Sequence, residues 1–373
     1  MKTKELDKFK GCLFGGAVGD ALGYAVEFQN IEQIREQYGP DGLTEMQLCD
    51  GSAWVSDDTQ MTLFTANGIL VAETERRLLG DEKSLERHLH NAYLDWHRTQ
   101  RVGPNRAKGV TSWVYHVPEM HSVRAPGGTC LRSLSSGILG TMETPINSSK
   151  GCGGVMRCAP IGLFYDRAHY PIETVDLYGA RSAALTHGHQ LGFLSAAALV
   201  HIVNQCVYGD FSGDNALFDI AESCVAALNK EFASFEKVTQ LTSLIEKAIA
   251  LAKTNLPTTS AIAELGEGWV AEEAVAIALY CCLKYQNDFR TALIAAVNHS
   301  GDSDSTGSIA GNILGAYLGY ARIPLGFLEN LELFEAIKII SEDLFALAGT
   351  ENNDVCYTEN WQKKYIKADY RLV

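Results

Sequence analysis

The chain has 373 residues, of which 46% are hydrophobic and 20% are charged. This composition excludes disordered and fibrous proteins, and the length allows a large apolar core without disulfides. Asp and Glu number 45 against 31 Lys and Arg, which gives a formal net charge of -14. Because binding to a phosphate backbone requires a basic face, we expect no direct binding to nucleic acid.

Cysteine usage and the N-terminus indicate the compartment. Ten cysteines are scattered along the chain without a C-x-x-C motif, which is typical of free thiols in a reducing compartment. Residues 1–8 contain no apolar signal region. The longest apolar stretch, 191–207, contains several polar residues, so we expect that it does not cross a bilayer. We therefore expect a cytoplasmic protein without a membrane partner.

Helical periodicity dominates the chain, with apolar residues at three- and four-residue spacing in eight segments. These segments are 62–80, 84–98, 190–206, 215–230, 235–252, 270–286, 289–298 and 330–348. Alternating patterns typical of strands are short and rare, so the sequence predicts an all-α fold. No linker of different composition and no repeat of fixed period divides the chain. We therefore expect a single domain over residues 1–373.

Two segments carry a glycine at every fourth position. The glycines are Gly11, Gly15, Gly19 and Gly23 in the first segment, and Gly307, Gly311, Gly315 and Gly319 in the second. On a helix this spacing forms a smooth ridge that another backbone can approach closely. Because glycine destabilises a helix interior, the pattern predicts a packing reason. We expect both helices to lie at the centre of the domain. One arrangement that would bury both ridges packs the two helices against each other.

Acidic residues occur in three groups. They are Asp20 with Glu27, Ser56-Asp57-Asp58-Thr59, and Asp302-Ser303-Asp304-Ser305-Thr306. Carboxylates and hydroxyls together form an oxygen-only ligand set that suits Mg²⁺, Mn²⁺ or Ca²⁺. N-capping of the following helix is the alternative for either of the last two groups alone. Capping needs only one side chain, whereas each group offers several, so the sequence favours the two halves of a two-metal site.

Two glycine-rich loops are candidate anion-binding sites. They span residues 125–129 and 151–157, and each leads into an apolar segment. Successive backbone N–H groups in such loops can bind phosphate without a basic side chain. An ordinary turn is the alternative for either loop alone. Neither loop has the P-loop pattern, and no G-x-G-x-x-G follows a strand pattern, which excludes both of those nucleotide-binding motifs.

Two further side chains are candidates for ligand contact. His187 is consistent with a metal ligand, a ligand contact or a hydrogen-bonded core residue, and it does not share a helical face with His189. Trp269 could stack on a base, although an isolated tryptophan more often belongs to a core. The chain has no G-x-S-x-G motif and no Cys/His spacing that indicates a nucleophile. We expect no catalytic role for the cysteines.

Several motifs occur in an order that is specific to one family. They are Gly11-x-x-x-Gly15 followed by Gly19-Asp20-Ala21-Leu22-Gly23-x-x-x-Glu27, Ser56-Asp57-Asp58-Thr59, residues 124–130, residues 151–160 with Thr186-His187, and Gly301-Asp302-x-Asp304-Ser305. In this order they resemble the ADP-ribosylglycohydrolase family. That family includes the dinitrogenase reductase-activating glycohydrolase and the ADP-ribosylarginine and ADP-ribosylserine hydrolases. The resemblance extends over about residues 8–320.

The resemblance implies a compact all-α fold with a central cleft that holds two Mg²⁺ or Mn²⁺ ions. The implied metal ligands are Ser56, Asp57, Asp58, Asp302, Asp304 and Ser305. Glu27 and Asp304 would be the catalytic residues, with Glu27 helping to activate water or gating the site. Together with Trp269, the expected substrate contacts are Gly127, Gly128, Thr129, Cys152, Gly153, Gly154 and His187.

The implied reaction is hydrolysis of the bond between the ribose carbon C1″ and a modified side chain, with arginine favoured. The expected partner is an ADP-ribosylated protein or a small molecule that contains ADP-ribose. One alternative is a hydrolase of another ADP-ribosyl compound or a small N- or O-glycoside. The other is an immunity-type protein that neutralises an ADP-ribosylating toxin by reversal or occlusion.

Some features depart from the family pattern. Ser305 replaces the commoner threonine and keeps its hydroxyl, and Cys152 stands where several members have asparagine. Asp95 is a candidate for guanidinium recognition from its neighbourhood alone. Residues 321–373 match no motif of the family.

Overall fold

The computed structural model describes residues 4–80, 83–101 and 108–372, and over these residues the chain forms helices and no β-strand. The only β-type pairings among them are three isolated bridges. The N-terminal helices are α1 (Leu6–Tyr24), α2 (Ile31–Tyr38), α3 (Asp57–Leu79), α4 (Leu85–Thr99), α5 (Gly128–Ser135), α6 (Ala159–Phe164), α7 (Ile172–Ala184) and α8 (Gln190–Tyr208). The C-terminal helices are α9 (Ala216–Glu231), α10 (Val238–Ala252), α11 (Thr258–Leu265), α12 (Ala271–Lys284), α13 (Phe289–Val297), α14 (Ser303–Leu318), α15 (Leu325–Leu328), α16 (Phe334–Leu347) and α17 (Glu359–Tyr365). The all-α prediction is confirmed.

Short 3₁₀ turns connect several of these helices. They are Trp113–His116, Pro118–His121, Cys152–Gly154, Tyr320–Arg322 and Asp354–Tyr357. Each of the eight segments with apolar periodicity contains a helix. Seven described helices lie outside these segments and the two glycine segments and were not predicted: α2, α5, α6, α7, α11, α15 and α17. Of these, α6 is buried on all sides, and α2, α5, α11, α15 and α17 each have eight residues or fewer. Such elements carry too little periodicity to identify.

The two glycine-bearing helices, α1 and α14, pack directly against each other in antiparallel orientation. A Cβ added at Gly15 would lie 2.3 Å from the carbonyl oxygen of Gly311, and one at Gly19 would lie 1.9 Å from that of Gly307. These distances are far shorter than any real Cβ contact, so only glycine permits the approach. The predicted packing of one ridge on the other is confirmed. Gly319 lies one residue beyond α14, with a φ of 91° that favours glycine.

Helix α8 is apolar along most of its length. Its mean hydropathy of 1.5 and its 19 residues are sufficient to cross a membrane, so its polar residues do not by themselves exclude a span. However, 94% of this helix is buried inside the protein. That burial is typical of a core helix.

The C-terminal segment without a recognised motif is part of the core. Phe345 in α16 packs edge-on against Phe9 of α1, with ring centroids 5.5 Å apart. Trp361 in α17 is buried and donates a hydrogen bond from Nε1 to the Thr74 hydroxyl of α3 at 2.9 Å. One continuous apolar cluster therefore extends from α1 to α17.

The glycine contact predicts a sharp stability effect. Gly311→Ala would place a Cβ 1.9 Å from the Gly15 carbonyl oxygen, and neither backbone can move aside without separating α1 from α14. We expect the free energy of unfolding to fall by about 3 kcal/mol or more, measured by urea unfolding. The matched control is Gly326→Ala, where a Cβ meets no atom within 4 Å. Equal stability of the two variants would contradict this packing.

Candidate metal centre and substrate cavity

A cavity of about 170 Å³ lies where the ends of α1, α3 and α14 meet two loops. Most of the predicted site residues line it: Glu27, Asp57, Asp58, Gly127, Gly128, Thr129, Cys152, Gly153, His187, Trp269, Asp302, Asp304 and Ser305. Four further lining residues were not named as substrate contacts: Ala125, Cys130, Gly151 and Met156. Three of them, Ala125, Gly151 and Met156, lie within the two loops predicted to bind an anion, and Cys130 follows the first of these loops.

A larger cavity, of about 400 Å³, lies elsewhere in the described part of the chain. Its carboxylate Glu73 is paired with Arg76 and Arg77, each at 2.6 Å. The smaller cavity is the stronger candidate site because no ion pair joins its carboxylates to a cationic side chain within residues 4–80, 83–101 and 108–372.

Three carboxylates from the two ends of the chain converge in this cavity. Glu27 follows α1, Asp302 is the N-cap of α14, and Asp304 lies in its first turn. One oxygen of each lies within 4.8 Å of an oxygen of the others. The glycine contact explains this convergence, because a Cβ at Gly23 would lie only 2.1 Å from the Ser303 carbonyl oxygen. The end of α1 is thereby held against the start of α14.

Asp20 positions the second acidic group from within α1. Its carboxylate is fully buried and accepts hydrogen bonds from the backbone N–H groups of Ser56 and Thr59, each at 3.0 Å, and from the Thr59 hydroxyl at 2.5 Å. Burial and the charge of Asp304 raise the pKa of Asp20 to about 7, and these hydrogen bonds oppose that rise. Asp20 thus anchors the N-terminus of α3, whose first two residues are Asp57 and Asp58. The sequence indicated that Asp20 belongs to the acidic set but not that it performs this role.

Capping and cavity lining occur together in both acidic groups. The Ser56 hydroxyl accepts a hydrogen bond from the Asp58 N–H at 3.1 Å, so Ser56 is the N-cap of α3 and does not line the cavity. Asp302 likewise accepts from the Ser305 N–H at 3.3 Å. One residue of each group therefore caps a helix, and Asp57, Asp58 and Asp304 face the cavity.

The carboxylates strongly raise one another's proton affinity. Burial raises the pKa of Glu27 to about 10, and the charges of Asp304 and Asp302 contribute to the same rise. Burial is also the main cause that raises the pKa values of Asp57, Asp58 and Asp302 well above the ordinary range. Removing several adjacent carboxylates from water is unfavourable unless cations or protons compensate their charge.

The donor set fits divalent cations. Oε2 of Glu27 and Oδ1 of Asp58 are buried and have no hydrogen-bond partner in the described structure. Both are hard oxygen donors in a cluster of carboxylates, which is the ligand chemistry of Mg²⁺ and Mn²⁺. The acidic cluster can therefore bind metal, and it was predicted from sequence.

The first glycine loop is attached to the acidic side of the cavity. The Gly127 N–H donates to Oδ2 of Asp57 at 3.0 Å, so this N–H already has an anionic partner within the protein. Gly128 begins α5, and the Thr129 hydroxyl lies 3.1 Å from the Ser149 hydroxyl of the facing loop.

The second glycine loop forms the opposite wall. The Cys152 thiol donates to Oδ2 of Asp302 at 2.8 Å, which joins this loop to the acidic cluster. The edge of the His187 ring packs on Gly153, whose Cβ would lie 3.2 Å from Cε1 of His187. Gly154 contacts the other edge of the same ring and does not line the cavity. His187 therefore lies at the second loop and apart from the carboxylate cluster.

Two aromatic rings stand at the mouth of the cavity. Trp269 is 41% exposed and stacks on Phe28, which is 74% exposed, with ring centroids 6.3 Å apart and an angle of 19°. Phe28 follows Glu27 in sequence. Trp269 is therefore a rim residue rather than part of the core.

Asp95 does not line the cavity. Its carboxylate is buried in α4 and accepts from the Thr111 N–H at 2.7 Å, the Ser112 N–H at 3.1 Å and the Arg98 guanidinium at 2.7 Å. These contacts hold the segment after α4, and Asp95 is not placed for guanidinium recognition.

Comparisons with known proteins agree with this architecture. The family model described as ADP-ribosylglycohydrolase matches residues 1–354. An uncharacterized protein of Archaeoglobus fulgidus is 30% identical over 91% of this chain and 97% of its own length. Human ADP-ribosylhydrolase ARH3 is 24% identical, with 92% of this chain and 94% of the relative covered. The ADP-ribosyl-[dinitrogen reductase] glycohydrolase of Rhodospirillum rubrum is 24% identical over 92% of this chain and 98% of its own.

A solved structure supports the same fold. A chain of an ADP-ribosylglycohydrolase-related protein complex superimposes with a TM-score of 0.64 at 23% identity, covering 92% of this chain and 98% of that chain. The family match extends over nearly the whole sequence. The protein belongs to the ADP-ribosylglycohydrolase family and is an enzyme that hydrolyses a glycosyl bond.

Proposed function

We propose that the protein is a metal-dependent ADP-ribosyl hydrolase that releases ADP-ribose from a modified protein side chain, with arginine as the side chain. The observation that carries the proposal is the convergence of Glu27, Asp302 and Asp304 in a cavity that two glycine loops also line. The family membership supports the same reaction. We further propose that residues 1–373 form one domain, which the continuous apolar core supports.

We assign the metal ligands to the two acidic groups. Asp57, Asp58, Asp302, Asp304 and Ser305 line the cavity and would hold two Mg²⁺ or Mn²⁺ ions, with Ser56 adjacent. When bound, the ions would supply Lewis-acid stabilisation and hold the ribose hydroxyls. The sequence expectation of two ions remains part of this proposal.

We assign proton transfer, charge stabilisation and diphosphate binding to different parts of the cavity wall. Glu27 has a buried oxygen without a partner in the described structure, and once bound cations have lowered its raised pKa it would accept the proton of the attacking water, with Asp304 beside it. The anionic wall favours the positive charge that develops on the ribose in an oxocarbenium-like transition state. The diphosphate would bind to the two glycine loops, the first on the acidic side of the cavity and the second on the opposite wall with His187.

The rim supports arginine as the leaving side chain. A protein-borne group must reach the cavity through its mouth, where the stacked rings of Phe28 and Trp269 are partly exposed to solvent. Such rings attract a guanidinium cation more strongly than a neutral hydroxyl. Asp95 takes no part in this recognition, because its carboxylate is fully engaged within α4 and the next segment.

The metal assignment predicts a separation of activity from stability. We expect Asp58→Asn to lower kcat roughly 100-fold or more, because a charged ligand is lost. The unfolding temperature of the metal-free protein should not fall. The carboxylate of Asp58 is buried and one of its oxygens has no partner in the described structure, so a neutral amide at this position removes an unfavourable buried charge. Initial rates with Mg²⁺ or Mn²⁺ and thermal unfolding in EDTA check both parts. Asp41→Asn, at an exposed position, is the control, and full activity of Asp58→Asn would refute the assignment.

The leaving group is tested with two substrates. We expect ADP-ribose release from arginine-modified protein in Mg²⁺ or Mn²⁺, loss of release in EDTA, and a much slower reaction on serine-modified protein. Chromatography of the released nucleotide measures this. Release from serine-modified protein alone would overturn arginine and retain the ADP-ribosyl hydrolase. Binding of ADP-ribose without release from either substrate would favour a small-glycoside hydrolase or an occluding immunity-type protein.

Asp95 has a predicted structural effect. We expect Asp95→Ala to lower the free energy of unfolding by about 3 kcal/mol, because it leaves buried donors of Thr111 and Ser112 without an acceptor. At a temperature where the variant is folded, its KM for arginine-modified protein should match the wild type. A selective rise in KM at unchanged stability would instead return Asp95 to substrate recognition.

A further inference from the structure

The second glycine loop ends in a buried arginine, Arg157, which has no carboxylate partner among the described residues. Arg157 is fully buried, and none of its hydrogen bonds to described residues is made to an acid. Its guanidinium lies over the ring of Tyr93, 4.1 Å from the centroid, and 3.5 Å from the Cys130 sulfur. Burial of the Cys130 thiol raises its pKa to about 11, so the thiol is neutral and does not balance the arginine charge. An uncompensated buried cation is costly, which calls for a functional reason.

The strongest hydrogen bond of Arg157 leads towards the cavity. Nη2 donates to the Thr186 hydroxyl at 2.7 Å, and that hydroxyl lies 2.9 Å from Nδ1 of His187. A guanidinium can only donate, so the Thr186 oxygen accepts from Arg157. Two acceptors remain for the hydroxyl hydrogen, Nδ1 of His187 and the sulfur of Cys130, and the neutral thiol is much the weaker acceptor of the two. The hydroxyl hydrogen therefore points to Nδ1.

This direction decides which nitrogen of His187 carries the hydrogen. An imidazole that accepts at Nδ1 is neutral and bears its hydrogen on Nε2. Burial and the charge of Arg157 lower the pKa of His187 to about 3, which keeps the ring neutral. Nε2 lies on the side of the ring that faces Gly151 and Gly153, and both glycines line the cavity. No hydrogen bond joins Nε2 to a described residue.

We propose that Arg157 is a positioning residue that acts through Thr186 to hold His187 with its hydrogen on Nε2, so that this N–H donates to an anionic oxygen of the diphosphate. The inference rests on the proposed function for the identity of the ligand. It also gives a function for the buried charge. The Arg157 guanidinium lies 3.5 Å from the sulfur of Cys130, which lines the cavity, and its positive charge attracts the diphosphate into an otherwise acidic protein.

The tautomer is measured on the ligand-free protein. Protein labelled with ¹⁵N-histidine is recorded by NMR, and the His187 signals are assigned by their loss in His187→Gln. We expect a protonated Nε2 and a bare Nδ1 in the wild type. Thr186→Val removes the hydroxyl at nearly constant volume and should mix the two tautomers, whereas the matched Thr186→Ser should retain the wild-type pattern. A wild-type spectrum for Thr186→Val would overturn the relay.

Kinetics test the consequence for the ligand. For Thr186→Val we expect KM to rise about tenfold, the effect of weakening one hydrogen bond to a charged group, and to rise more than kcat falls. Arg157→Lys keeps the charge but loses the planar fork, and it should shift KM in the same direction. Thr186→Ser should restore the wild-type KM. Unchanged KM values in folded Thr186→Val and Arg157→Lys would overturn the proposal. If the wild type neither binds ADP-ribose nor releases it, the proposed function is overturned instead.

Discussion

The direct contact between the backbones of α1 and α14 is the constraint on which the site depends. Any side chain at Gly15 or Gly311 would separate the helices, and with them the two ends of the chain. Because the helices are antiparallel, the C-terminal end of α1 and the N-terminal end of α14 meet at one place. Glu27 emerges from the first end, and Asp302 from the second. The glycines thus set the distance between the carboxylates that line the cavity.

The same arrangement concentrates negative charge where the protein is least hydrated. Several features reduce the cost. The N-termini of α3 and α14 point at the cluster, and their dipoles favour the carboxylates there. Asp20 receives backbone and hydroxyl hydrogen bonds from the start of α3, and Asp57 receives one from Gly127. Oxygens without partners in the described structure remain on Glu27 and Asp58, so the cluster stays electrostatically unfavourable unless cations or protons compensate its charge.

The cavity has two electrostatically different walls. One wall is acidic, and the other consists of glycine-loop backbone and His187, with the Arg157 cation behind it. The ligand that we propose joins a ribose to a diphosphate, and it would place the ribose on the acidic side and the phosphates on the other. This division would allow a chain with a net charge of -14 to accommodate an anionic substrate. The electrostatic potential in the cavity is set by the charges close to it rather than by the net charge of the chain.

The sequence by itself determined the helical class, the glycine ridges and the acidic groups. These signals are local, since periodicity, a glycine at every fourth position and adjacent carboxylates are visible within a single segment. Only the tertiary structure decided the contact of Asp20 with Thr59, the hydrogen bond of Asp95 with Thr111 of the segment after α4, and the chain of hydrogen bonds from Arg157 to His187. It also packed many of the apolar side chains of residues 321–372 into the core. Each of these features depends on a contact between residues of different segments. Such contacts are determined by how the helices pack against one another, and the spacing of residues along a single helix does not reveal them.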